Sequence, residues 1–92
     1  MASEIIRTMD GPGLKTVVRV GEGKAARYYL VSSVLTPDRG YETMVFSFSM
    51  KKNEPTSWTE KYAEHYNTQS AMVYGHERVC EHLEEYIRRN TN

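Results

Sequence analysis

Apolar residues recur with a period of two through the first two-thirds of the chain and with spacings of three and four thereafter, a pattern that predicts strands followed by a helix. Ile5 and Ile6 precede Asp10-Gly11-Pro12-Gly13, where Pro12 presets φ and Gly13 can take the positive φ of a type II turn. Residues 1–13 therefore read as a short edge strand or an arm. Across 14–20, Leu14, Thr16, Val18 and Val20 alternate with Lys15, Val17 and Arg19, a half-buried strand rich in β-branched side chains. Gly21-Glu22-Gly23-Lys24 then turns the chain into 27–35, whose two faces are both apolar: Tyr28, Leu30 and Val34 on one, Tyr29, Val31 and Leu35 on the other. A strand of this kind needs cover on both sides.

Thr36-Pro37-Asp38-Arg39-Gly40 makes a second hairpin connection into 41–50. There Met44, Phe46, Phe48 and Met50 form the expected core face, and Tyr41, Thr43, Val45, Ser47 and Ser49 the opposite one. After a polar loop, 58–66 reads as a fourth strand through Trp58, Tyr62 and Tyr66, with a helical turn from Glu60 to Tyr66 as the alternative. Thr68 is placed to cap a helix over 68–89. Met72, His76, Val79, Cys80, Leu83, Tyr86 and Ile87 form its apolar stripe, and Glu84–Arg88 and Glu85–Arg89 are favourably oriented pairs on its polar side. The expected fold is a single α+β domain: an antiparallel meander of about four strands over 14–66, packed against one long C-terminal helix.

Composition narrows the function classes. With 92 residues, 39% apolar and 26% charged, the chain supports one small core, and domains of this size are often only marginally stable, which leaves a homodimer open. Twelve basic residues balance twelve acidic ones, so no global field attracts phosphate backbones or anionic membranes. Cys80 is the only cysteine, which rules out an intrachain disulfide and suits a reducing compartment. Residues 1–8 lack the apolar run of a signal peptide, and no segment approaches the roughly 20 apolar residues of a membrane span, so a cytoplasmic location is expected.

Candidate chemistry is sparse. His76 and Cys80, four apart on one helix face, are two of the four ligands a structural zinc takes, and no second cluster supplies the rest. As a thiol nucleophile, Cys80 would sit on the core stripe among Glu77, Glu81 and Glu84, which discourages thiolate formation. Gly21-x-Gly23-Lys24 joins strand to strand, so no helix N-terminus faces an anion there. No cofactor or metal is expected. Glu77, Glu81, Glu84 and Glu85, with Glu60 and Glu64, form an acidic cluster able to meet a basic protein surface or imitate nucleic-acid charge, set against the plainer reading of a solvated helix face. Tyr28, Tyr29, Tyr41, Trp58, Tyr62 and Tyr66 exceed the needs of one small core. Tyr29, Val31, Tyr41, Glu77, Glu81, Glu84 and Glu85 are accordingly the candidate partner-binding residues, with self-association through the second apolar sheet face as one use of them. Stacking of strand tyrosines on a single-stranded nucleic acid is the alternative. An enzyme ranks last, because no nucleophile, base and orienting group assemble from these residues.

Glu42-Thr43-Met44-Val45-Phe46, then Tyr66-x-Thr68 and Gly75-His76-Glu77, resembles a family of small bacteriophage and prophage proteins with a Glu-Thr-Met-Val-Phe strand and a Tyr-x-Thr…Gly-His-Glu helix. The match spans residues 41–77, and nothing before Arg27 resembles the family. The family pattern carries a Glu three residues after the Thr, where this chain has Ala71. The resemblance implies a viral protein acting in the cytoplasm of a bacterial host, with no family activity to transfer. Small accessory phage proteins are commonly binders, including inhibitors of host enzymes or of anti-phage defence such as anti-CRISPR proteins. The expectation is therefore a non-enzymatic protein-binding function.

Overall fold

The computed structural model describes residues 3–90. Among them the chain forms β1 (Ser3–Thr8), β2 (Leu14–Val20), β3 (Arg27–Thr36), β4 (Gly40–Ser49), β5 (Glu54–Pro55), β6 (Tyr62–Tyr66), α1 (Gln69–Glu81) and α2 (Leu83–Asn90). The fold is α+β, a curled antiparallel sheet with two C-terminal helices. It holds more strands than the four expected, because residues 3–8 pair with β2 as a true edge strand and Glu54–Pro55 pair with the end of β4. The fourth expected strand, 58–66, shortens to β6, which pairs with the first half of β4 and sets Tyr41 opposite Tyr66 and Thr43 opposite Glu64. Trp58 belongs instead to the connection between β5 and β6.

The single helix expected over 68–89 is two. His82 leaves the helical region (φ −123°, ψ 34°) while its amide still bonds the Arg78 carbonyl, and α2 starts again at Leu83. The Leu83 amide freed by the break is taken by the Ser3 hydroxyl at 3.2 Å, so the edge strand satisfies a donor the helix has abandoned. Thr68 caps α1 as expected, its hydroxyl accepting from the Ala71 amide at 3.1 Å.

Both faces of the sheet are buried, by different means. Val18, Val20, Val31 and Val45 meet Val79, Cys80, Leu83 and Tyr86 under the helices, flanked by Tyr29, Tyr62 and Ile87. The face of β4 carrying Met44, Phe46 and Phe48, expected to be the main core side, points away from the helices. It is covered by the curl of the sheet: Val17, Leu30 and Phe48 pack with Ile6, Met9, Tyr28 and Met50, and Trp58 stands edge-on to Phe46 at 5.2 Å. A side-chain bond from Arg7 on β1 to Asn53 beside β5 ties the two sides of that curl together. The second apolar face of β3 is thus covered from within the chain. Among the described residues no helix is long and apolar enough to cross a membrane.

Candidate functional site

Two polar assemblies stand out, one sealed beneath α1 and one open on its far side. Close approach of α1 to the sheet depends on Gly75, because a Cβ there would overlap the Tyr66 ring of β6. The next residue, His76, is only 5% exposed and uses both ring nitrogens. Nε2 lies 2.9 Å from Thr16 Oγ1 and Nδ1 lies 2.6 Å from Ser33 Oγ, which in turn meets Thr43 Oγ1 at 2.5 Å. Burial, reinforced by the charge of Lys15, pushes the His76 pKa down to about 4, so the ring is neutral at ordinary pH. One ring nitrogen then donates and the other accepts, which is what two hydroxyl partners can satisfy.

Chemically this seam is closed. Ser33 and Thr43 are fully buried, so a Ser–His pair at hydrogen-bond distance has no access to substrate. Cys80 beside it is 2% exposed. Its thiol pKa is raised to about 11, chiefly by burial and further by Glu81 and Glu77, against an opposing hydrogen bond from Thr16. With both His76 nitrogens engaged and Cys80 in the apolar core, the pair does not present a metal site, and the described residues contain no group of three or more His, Cys, Asp or Glu side chains that could hold one.

Toward β6 the polar residues reach the surface. Glu64 accepts from Tyr62 at 2.9 Å, from Tyr66, and from Arg78 Nη2 at 3.1 Å. Arg78 Nε donates to the Tyr86 hydroxyl at 2.7 Å, so one arginine joins β6, α1 and α2. Burial and then the hydrogen bond to Glu64 raise the Tyr62 pKa to about 12, and the same causes raise that of Tyr66 further.

The open assembly lies on the solvent side of the helices. Tyr74, Glu77, Arg78 and Glu81 of α1, His82 at the break, and Glu85 and Tyr86 of α2 line a groove of about 270 Å³. A broader concavity of about 640 Å³ continues along α1 over Gln69, Ser70 and Val73 and shares Tyr74 and Glu77 with the first. Tyr74 is 67% exposed and Val73 37%, large apolar surfaces for an outward helix face. The Arg78 guanidinium sits 5.5 Å from the Tyr74 ring centre and that of Arg89 5.2 Å from Tyr86, so Arg89 stacks where a pair with Glu85 was expected.

The seven candidate binding residues do not converge. Glu77, Glu81 and Glu85 share the groove between the helices. Glu84 pairs with Arg88 at 3.5 Å on the other flank of α2, where it joins Tyr29, Val20 and Ile87 around a small pocket of about 190 Å³. Tyr41 is half-buried between Leu35 and Tyr66. Val31 is fully buried in the core under the helices and offers no surface to a partner. Residues absent from that set also line this face: Tyr74, Arg78, His82 and Tyr86 in the groove, and Val73 in the adjoining concavity. Tyr74 carried a legible signal, an aromatic residue off the apolar stripe of an amphipathic helix, whereas the exposure of His82 follows from a helix break that leaves no such mark.

No family model matches this chain, and no curated protein or solved structure does either. The residues quoted for the phage resemblance have clear local roles: Thr43 and His76 share the buried seam, Tyr66 lies over Gly75, and Thr68 caps α1.

Proposed function

We propose that this chain is a non-enzymatic binding protein of phage origin, and that it meets a host or anti-phage defence protein through the outer face of α1 and α2. The observation that carries this reading is the exposed pair Val73 and Tyr74, set where two concavities join and where the helix needs neither side chain for its own packing. Exposed aromatics flanked by polar groups are the usual anchors of protein interfaces. The sealed Ser33–His76 seam supports a binding role over a hydrolytic one. The strand tyrosines favour protein over nucleic acid as the partner: Tyr62 and Tyr66 are tied to Glu64, and Tyr28, Tyr29 and Tyr41 are half-buried, so they do not make an open stacking platform.

Site-specific photo-crosslinking in a bacterial host tests the assignment. A photoreactive residue replacing Tyr74 should yield a discrete protein adduct, competed by excess unmodified protein, while the same group replacing exposed Leu35 should not. Adducts from position 35 alone would move the contact to the sheet.

A further inference from the structure

We propose that Glu64, at the protein surface, fixes the proton position on His76, in the core, through a one-way chain of hydroxyl groups, so that the charge at one end of the chain is read at the other. The chain joins the sealed seam to the polar residues of β6. At its outer end the Glu64 side chain keeps 23% of its surface open and is held by Arg78 Nη2 at 3.1 Å. A carboxylate paired with a guanidinium only accepts hydrogen bonds, so the Tyr66 hydroxyl beside it spends its one proton on Glu64. The same hydroxyl is hydrogen-bonded to Thr43. With no proton left to give, it accepts from Thr43 Oγ1.

Each later step follows from the single proton of a hydroxyl. Thr43 has given its own to Tyr66, so Ser33 Oγ, 2.5 Å away, donates to Thr43. Ser33 has then nothing to offer His76 Nδ1 at 2.6 Å, and the ring nitrogen donates to Ser33. Because the ring is neutral, Nε2 carries a lone pair and accepts from Thr16 Oγ1 at 2.9 Å. Thr16 also meets Cys80, and takes the thiol proton while giving its own to the imidazole, the stronger acceptor. Reversing the order would either turn the Tyr66 proton from a carboxylate to a neutral hydroxyl, or leave the oxygens of Tyr66 and Thr43 facing each other with no proton between them. Hydrogen bonds to an ionised acceptor are roughly twice as strong as neutral ones, so the direction is set at Glu64. Thr16, Ser33 and Thr43 are all buried, which leaves no water beside them to reset it.

Long-range proton–nitrogen correlation spectra of the isotopically labelled full chain at about pH 7.5 test the relay, with the His76 ring identified by its loss in His76→Gln. A neutral histidine in water prefers its proton on Nε2; His76 should carry it on Nδ1. Tyr66→Phe keeps the ring over Gly75 but cuts the chain, and should move the proton off Nδ1 toward Nε2. Glu64→Gln, which keeps the shape and removes the charge, should shift it in the same direction. Tyr62→Phe is the control: Tyr62 also donates to Glu64, at 2.9 Å, yet stands off the path, so the proton should stay on Nδ1. A wild-type ring protonated on Nε2 would overturn the proposal without any variant. So would an Nδ1 proton that survives both Tyr66→Phe and Glu64→Gln, or one displaced as far by Tyr62→Phe as by Tyr66→Phe.

Discussion

At the residue scale, His76 joins β2, β3 and α1 through one ring, and its buried neutrality makes stability depend on pH. An unfolded chain takes up a proton on this histidine near pH 6.5, the folded chain only near pH 4. Above 6.5 both states are neutral there and the contribution is complete. Between 6.5 and 4 the unfolded state binds more protons, so stability falls with pH, by about 3 kcal/mol across the window. Urea midpoints measured from pH 7.5 to 4 should show that decline, and His76→Gln should flatten it; an unchanged slope in the variant would assign the effect elsewhere. Cys80 gives a second check. With its pKa near 11 against an ordinary 9.0, the native thiol at pH 8 should react with a disulfide reagent at least roughly a hundredfold more slowly than in denaturant. Part of this seam was readable in advance: the spacing of His76 and Cys80 put both on the core stripe. That Thr16 and Ser33 would supply the two hydroxyls was not, since strand register decides which side chains lie beneath the ring.

At the element scale, the strands 14–20, 27–35 and 41–50 follow directly from alternation and turn residues. The alternation on β3 also announced burial on both faces, but a pattern records that a face must be covered and not what covers it. Here the cover comes from Ile6 and Met9 at one end of the chain and Met50 in the middle, contacts remote in sequence. The break at His82 left no local mark either, since neither glycine nor proline stands there; it is accompanied by contacts remote in sequence, the Ser3 hydroxyl taking the Leu83 amide while Leu83 and Tyr86 are both buried. Leu83→Ala should accordingly cost about 2–5 kcal/mol, as a fully buried side chain at the start of α2. Thr68→Ala should cost about 1 kcal/mol by leaving the Ala71 amide without its cap. Denaturant titrations of the two variants check the order of these effects: a cap loss as large as the core loss would mean that α1 depends on its start more than on its packing.

On the scale of the whole molecule, the curl of the sheet changes the reading of its apolar second face. Val17, Leu30, Phe46 and Phe48 are between 0% and 6% exposed within one chain, so self-association is not needed to cover them. Light scattering over a concentration series should return a mass near the 10.6 kDa of the single chain; a stable dimer would mean that another surface, such as that around exposed Trp58 or Ile5, pairs two copies. Large apolar side chains stay exposed at Ile5, Leu35, Trp58, Val73 and Tyr74; the last two stand together on α1 beside two concavities, and the account rests on them.

The measurement that bears on that account most directly is the photo-crosslinking comparison of positions 74 and 35 in a bacterial host. The account predicts a discrete, competable protein adduct from position 74 on α1 and none from the exposed position 35 on β3. Adducts from position 35 alone, or no adduct from position 74, would contradict it.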